Sequence, residues 1–186
     1  MNIHLDEYVY KNNGKKLVAY YGDDTEVLIP RGVTWIDKGV FSSNLNLTGV
    51  DITDTVEIID DYAFSNCTNL TNVIMPDSVG FLGDKAFRNC IALESVKLSS
   101  RLGLIGDETF LACESLKSIV IPNGVRKIYE QAFRDCINLE SITIPASVVE
   151  IEEDVFLGCE KLVITTPKGS EAEKYALANG IKVKLI

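Results

Sequence analysis

The chain has 186 residues, of which 46% are hydrophobic, and it carries a formal net charge of −9. This composition is typical of one folded domain and excludes a disordered chain, while the acidic excess argues against nucleic acid as a partner, because a polyanion would be repelled. No apolar run approaches the roughly 18 residues that a membrane-spanning helix needs, so we expect no membrane insertion.

The first segment, residues 1–28, is predicted to be an N-terminal cap built on a β-hairpin. Tyr8, Val9 and Tyr10 favour a strand, residues 12–14 favour a tight turn, and residues 17–21 form the returning strand. The single histidine, His4, is interpreted as structural or exposed. The start lacks the basic region and apolar core of a signal peptide. The sequence as written therefore indicates the cytoplasm, whereas a cell-surface or secreted location would apply if it is a trimmed part of a longer chain.

Residues 29–166 contain six copies of one 23-residue unit. In each copy a Phe is followed three residues later by Cys, or by Asn44 in the first copy, and after three more by Leu. The columns are Phe41, Phe64, Phe87, Phe110, Phe133 and Phe156; Cys67, Cys90, Cys113, Cys136 and Cys159; and Leu47, Leu70, Leu93, Leu116, Leu139 and Leu162. Such a unit cannot bury its apolar residues alone, so we expect the copies to stack as turns of a coil, with like residues about 4.8 Å apart.

Two parts of each copy carry different local signals. The pattern L-x-x-I-x-I, as at 139–144, favours a strand in a parallel sheet, and a following proline ends it. The stretch around each Phe favours a short helical turn preceded by an acidic residue; these residues are Asp61, Asp84, Asp107, Glu130 and Glu153. The acidic column is interpreted either as a cation-binding rail or as a set of helix N-terminal caps, and its single-file arrangement favours the caps.

The cysteines do not have the spacing of a reactive or ligating site. A zinc site needs ligands a few residues apart, and a reactive thiol needs a basic neighbour, whereas these thiols are 23 residues apart. Stacked Cβ atoms about 4.8 Å apart are also too distant for a disulfide. We interpret each cysteine as a small apolar residue that fills the turn between Phe and Leu.

The last segment, residues 167–186, is predicted to be a C-terminal cap. Ser170 and Glu173 form a capping box, Gly180 marks the end of a helix, and the helix has one apolar side. The final IKVKLI favours an edge strand with Ile181, Val183 and Leu185 inward and the lysines outward.

The columns, and IPNGVRKIYEQAFRDCINLESITIP at 121–145 above all, resemble the BspA-like, cysteine-bearing leucine-rich repeats of bacteria and protists. The resemblance implies an α/β repeat solenoid of leucine-rich-repeat type, mostly β, with a parallel sheet on one face and short strands or helical turns on the other. Residues 1–186 would form one such domain, with caps at 1–28 and 167–186 around six repeats at 29–166. The resemblance also implies adhesion or protein binding at the cell surface, without catalysis.

Two surfaces are candidates for partner binding. On the predicted sheet, a mixed outward file consists of Asp51, Ile74, Lys97, Val120 and Thr143. A second, apolar file, here called the stripe, consists of Trp35, Ile58, Phe81 and Leu104, at a position that Lys127 and Glu150 occupy in the last two copies. The stripe either docks a protein partner or a second copy of the chain as a homodimer, or folds inward against the N-terminal hairpin or a widened core.

The predicted function is non-catalytic, adhesin-like recognition of a protein partner through a solenoid face. The alternative is a structural spacer or repeat segment of a larger cell-surface protein. No enzyme is expected, because the sequence has no Cys–His or Ser–His pair, paired-carboxylate pocket or phosphate-binding glycine loop. We accordingly predict no catalytic residue, metal ligand or cofactor.

Overall fold

The computed structural model describes residues 7–186, so His4 lies outside the described residues. The strands and the helix follow one another in this order: β1 (Tyr8–Lys11), β2 (Lys16–Tyr20), β3 (Glu26–Leu28), β4 (Trp35–Ile36), β5 (Gly49–Asp51), β6 (Ile58–Ile59), β7 (Asn72–Ile74), β8 (Phe81–Leu82), β9 (Ser95–Lys97), β10 (Leu104–Ile105), β11 (Ser118–Val120), β12 (Lys127–Ile128), β13 (Ser141–Thr143), β14 (Glu150–Ile151), β15 (Val163–Thr166), α1 (Glu171–Ala178) and β16 (Lys182–Leu185). In residues 7–186, no helix has the length and apolar character to cross a lipid bilayer.

The strands form a solenoid of about seven turns with two faces. The large sheet has eight parallel strands in the order β3, β5, β7, β9, β11, β13, β15 and β16. The narrow sheet on the other face has two parts, β1-β2-β4-β6-β8 and β10-β12-β14, and no strand pair joins β8 to β10 in residues 7–186. The predicted solenoid is therefore confirmed, with short strands rather than helical turns on its second face.

Strand pairing follows the 23-residue period until the last turn. Asn72 pairs with Ser95, and Ser118 pairs with Ser141, as the period requires. Ile142, however, pairs with Ile164, which is only 22 residues away. The final turn is thus one residue shorter after Leu162, a change that the regular Phe, Cys and Leu columns do not reveal.

The Phe column forms the centre of the core. Successive rings from Phe41 to Phe156 have centroids 5.1–5.6 Å apart and interplanar angles of 2–14°. Tyr20 of β2 packs on Phe41 at one end with an interplanar angle of 44°, and Tyr175 of α1 packs edge-on against Phe156 at the other with an angle of 76°. The stacking buries large apolar surfaces in a geometry that aromatic pairs favour.

The cysteines are buried and free, and they also donate hydrogen bonds. Each Sγ donates to the carbonyl oxygen of the Phe in the preceding turn, as Cys113 does to Phe87 at 3.2 Å. The five such bonds are 3.0–3.2 Å long. The interpretation of these residues as apolar filler was therefore incomplete, because a thiol both fills space and occupies a buried acceptor. In the first copy, Asn44 instead accepts hydrogen bonds from Asn46 and Leu47.

The prediction of a helical turn around each Phe was wrong. Non-glycine residues there have positive φ, with values of 58° at Tyr62 and 60° at Lys85 and Asn66. This conformation lets alternate N–H groups point at the next turn, as when Phe64 N donates to Ala86 O at 2.8 Å. A helix would direct those donors along its own axis and leave the neighbouring turn unpaired.

The two ends differ from the repeats, as predicted. At the N-terminal end β1 and β2 form an antiparallel hairpin, and Asn12 and Asn13 at its turn both have φ of 54°, as such tight turns require. At the other end α1 is capped by Ser170, whose hydroxyl accepts from Glu173 N at 3.1 Å. The Glu173 carboxylate accepts from Gly169 N rather than from Ser170 N.

The closing strand is only partly buried. Ile181 and Val183 pack against the core, but Leu185 is 44% exposed, so its predicted inward position was wrong. Within residues 7–186, β16 is an edge strand of the large sheet and pairs only with β15. The lysines of this strand are exposed, as expected for an edge that discourages pairing with other chains.

We expect the Phe110→Ala substitution to lower the free energy of unfolding by about 3–5 kcal/mol, because it opens a cavity in a fully buried stack. Cys113→Ala should cost only about 1 kcal/mol, since Phe87 O keeps a bond from Cys90 N. Urea unfolding of both variants measures the two values. A loss from Cys113→Ala as large as that from Phe110→Ala would contradict this account of the core.

A second prediction concerns pH. Burial raises the pKa of Cys67 to about 12 and also raises the pKa values of Cys90 and Cys113. An unfolded thiol has a pKa of about 8.5, so the stability that these thiols contribute is present below that pH and is lost as pH rises towards 12. The free energy of unfolding, measured under reducing conditions, should therefore fall between about pH 8 and pH 10, and less steeply in Cys113→Ala. An equal slope in both proteins would contradict the assignment.

Candidate binding surfaces

The mixed file lies on the outer face of the large sheet. Ile74 and Val120 are 62% and 65% exposed and flank the exposed Lys97. Val73 and Ile119, between the outward positions, are buried in the core. The alternation of a parallel strand thus leaves two β-branched side chains in water on a surface that the fold does not cover.

The rest of the file is polar. Asp51 is exposed and Thr143 is half-buried, and the parallel register places each one turn from its neighbour. A second outward file beside it has small polar side chains, all exposed: Asn72, Ser95, Ser118 and Ser141. Because these neighbours are short, they leave Ile74 and Val120 accessible from the side as well as from above.

The stripe lies on the outer face of the narrow sheet. Trp35 pairs with Ile58, and Ile58 pairs with Phe81, so the three side chains stand above one another. Phe81 is 45% exposed, and Trp35, Ile58 and Leu104 are half-buried. Trp35, Ile58 and Phe81 thus lie in register, and Leu104 holds the equivalent position in the next turn, where β10 does not pair with β8.

The N-terminal hairpin covers one end of the stripe. Lys16 of β2 pairs with Trp35, and its Nζ lies 3.7 Å from the centroid of the indole ring. The same ammonium forms an ion pair with Asp37 at 2.9 Å, and Trp35 Nε1 donates to Asp60 at 3.0 Å. The contact of Lys16 with Trp35 could not be predicted from the repeat, because Lys16 precedes Trp35 by 19 residues and so falls outside the 23-residue period.

The other end of the stripe meets an ion-pair cluster. Lys127 Nζ lies 2.8 Å from Glu150 and 2.6 Å from Glu152. These two carboxylates raise the pKa of Lys127, and hydrogen bonding to Lys127 lowers the pKa of Glu152. Four apolar residues are therefore bounded by a lysine at each end.

Glycines flank the two central residues of the stripe. A Cβ added to Gly80 or Gly103 would have no heavy atom within 4 Å, so the backbone beside Phe81 and Leu104 is open.

The acidic column belongs to the turns rather than to helix caps. Asp84 N donates to Asp61 Oδ1, and Asp107 N donates to Asp84 Oδ1, both at 3.0 Å. Burial and the carboxylate of Asp84 raise the pKa of Asp107. The predicted helix caps are wrong, since the carboxylates of Asp61 and Asp84 instead accept from the equivalent residue one turn on. In residues 7–186 no group of three or more His, Cys, Asp or Glu side chains is arranged to hold a metal ion.

A cavity of about 300 Å³ lies at the C-terminal end, where Phe156, Cys159 and Tyr175 form part of its wall. Cys159 is 8% exposed there, whereas the other four thiols are fully buried. Burial also raises the pKa of Tyr175. The Cys159 thiol donates to Phe133 O, and the lining of the cavity includes none of the predicted binding residues.

Several solved structures resemble this fold. A leucine-rich cell surface protein from Faecalibacterium prausnitzii is 35% identical with a TM-score of 0.64; the match covers 91% of this chain but only 39% of that protein. The leucine-rich repeat protein of T. pallidum is 25% identical with a TM-score of 0.74 over 95% of this chain and 94% of its own. A leucine-rich repeat protein from Eubacterium ventriosum, 22% identical with a TM-score of 0.69, matches over 82% of this chain and 50% of its own and shows the fold alone. The chain thus spans well under half the length of the F. prausnitzii protein.

No match was found among curated proteins. The sequence model of the BspA-type leucine-rich repeat region, however, matches residues 34–163 in six copies. Together with the stacked Phe and Cys columns, this match shows that the chain belongs to the BspA-type leucine-rich repeat family.

Proposed function

We propose that this chain is a non-catalytic protein-binding module, adhesin-like in its role, that recognises a protein partner through the outer face of the large sheet. The observation that carries the proposal is the exposure of Ile74 and Val120, at 62% and 65%. The remaining residues of the mixed file would contribute polar and charged contacts around these two apolar groups.

The fold does not require apolar residues at these two positions. Equivalent positions in neighbouring turns carry Asp51, Lys97 and Thr143, and the sheet continues through them with the same register. Burying each apolar side chain against a partner would contribute about 1.5–3 kcal/mol. Lys97 and Asp51 would supply the polar contacts that orient the partner.

Two further facts support this role. Repeats of this family are typically non-catalytic, which agrees with a function in binding. The F. prausnitzii protein to which the chain is similar is described as a cell surface protein, which supports a place at the cell surface for this chain too.

The test is binding of the purified chain to a panel of purified host extracellular-matrix proteins, measured by biolayer interferometry. Ile74→Ser combined with Val120→Ser should weaken any binding by about tenfold or more, because two apolar contacts are lost. Ile91→Ser combined with Ile137→Ser is the control, since both residues are apolar and exposed, at 42% and 46%, but lie in turns outside both sheets.

Equal loss in the two double variants would overturn the assignment to the large sheet. The absence of binding to every protein of the panel would overturn the adhesin role and favour a structural spacer within a larger surface protein. In that second role the outer faces would have no preferred partner, so neither variant would change any measured property apart from solubility.

A further inference from the structure

The stripe is the middle of a longer outward file on the narrow sheet. From the N-terminal end this file reads Lys16, Trp35, Ile58, Phe81, Leu104, Lys127 and Glu150; strand pairing joins all neighbours except Phe81 and Leu104, which the 23-residue period makes equivalent. Contacts between Lys16 and Trp35, and between Lys127 and Glu150, show that the terminal side chains lie on the same face. Phe81 is therefore the central residue of seven.

The side chains of this file are complementary to those of a second copy that runs in the opposite direction. When the file is laid antiparallel against a second copy with Phe81 opposite Phe81, Lys16 meets Glu150 and Trp35 meets Lys127. Ile58 then meets Leu104. These pairs are an ion pair, a cation–π pair and an aliphatic contact around a central aromatic pair.

We propose that this face of the narrow sheet binds a second copy of the same chain, about a two-fold axis that passes between the two Phe81 rings and runs along the strand direction. The inference is independent of the function proposed for the large sheet, because it uses the opposite face of the solenoid. Each copy contributes the same residues, as an isologous interface requires.

Charge excludes the other two-fold arrangement of the same faces. An axis parallel to the file would place Lys16 against Lys16, Lys127 against Lys127 and Glu150 against Glu150. Like charges in contact disfavour a pairing by several kcal/mol and so select the antiparallel one. The strands of this sheet also pair with their neighbours on both sides over most of its length, which argues against an added peptide strand as the occupant.

The surface at the axis is open enough for the central contact. Gly80 and Gly103 precede Phe81 and Leu104, and neither has a heavy atom within 4 Å of its Cβ position. The narrow sheet is also interrupted here, since β8 and β10 do not pair. The ring of the second copy can therefore approach the backbone beside Phe81.

The size of the face predicts a weak dimer. Seven residues at about 4.8 Å give a file about 30 Å long, and a width of about 10 Å gives about 600 Å² for both copies together. Stable complexes bury about 1,200–2,000 Å². Lys16 and Lys127 already have partners in their own chain, so their new ion pairs would fix orientation more than affinity.

Disulfide trapping tests the axis directly. In a Phe81→Cys variant two new thiols would face each other across the axis, and a mild oxidant such as diamide would remove two electrons and two protons to join them. The native thiols should contribute little, since they are buried. Ile74→Cys is the control, because Ile74 is more exposed but lies on the large sheet. We expect covalent dimer from Phe81→Cys at least tenfold faster, and equal rates would overturn the proposal.

Charge exchange tests the direction of the two files. In the Phe81→Cys background, Glu150→Lys should slow trapping several-fold, and adding Lys16→Glu should restore it, because the pair is then reversed. A folded double variant that stays slow would overturn the antiparallel arrangement.

Sedimentation equilibrium tests self-association without changing either charged residue. The chain concentration is about 1 mM, which lies above the dissociation constant expected for so small a face. Phe81→Ser should weaken self-association there and Ile91→Ser should leave it unchanged, whereas equal self-association of the two variants would also overturn the proposal.

The binding role of the large sheet and the self-association of the narrow sheet can be overturned independently. Ile74→Ser combined with Val120→Ser should leave trapping through position 81 unchanged, because those residues lie on the other sheet. Loss of matrix binding without loss of trapping would count only against the large sheet, and the converse only against the narrow one.

Discussion

Equal turn length is the constraint on which the rest of this structure depends. Because successive turns have 23 residues, each Phe ring lies on the ring of the turn before it, and each thiol reaches the carbonyl of the preceding Phe. A turn of different length would place unlike side chains in contact and leave its carbonyls unpaired. The one shortened turn, after Leu162, occurs where the repeats give way to the terminal helix.

The same constraint separates the residues that serve the fold from those available for binding. Inward columns are nearly uniform because each member packs on a like neighbour, whereas outward files vary. Some outward neighbours have opposite charges, as with Lys85 and Glu108 or Lys127 and Glu150, whereas Asp61, Asp84 and Asp107 form a column of like charge. Ile74 and Phe81 instead place apolar side chains in outward files, which is why the candidate surfaces lie where they do.

Much of this architecture could be predicted from spacing alone. Columns such as Phe64, Phe87 and Phe110 are a signal spread over the whole chain, so stacking did not depend on any local preference. The turn conformation could not be predicted, because positive φ at Tyr62 or Lys85 has no local signature. This turn conformation is imposed by hydrogen bonds to the next turn. The local sequence favoured a helical turn, and that prediction was wrong.

For the candidate surfaces, a different factor limited what could be predicted from the sequence. The members of the stripe could be identified, but the partial cover of Trp35 comes from Lys16, which belongs to a hairpin outside the period. Likewise, Leu185 fits the alternation of its strand yet is exposed, because β16 is the edge strand of the large sheet. Burial in the terminal turns depends on neighbours outside the repeats, and a repeat pattern does not contain that information.

The ladder of hydrogen bonds between turns also has a genetic consequence. Since each turn contacts only the turns beside it, unequal recombination that adds or removes one whole unit would leave every stacked pair intact and change the rod by about 4.8 Å. Loss of a single codon would disturb all contacts at that level. A family built in this way can vary the length of the solenoid by duplicating whole repeat units, and it can change an outer face one turn at a time.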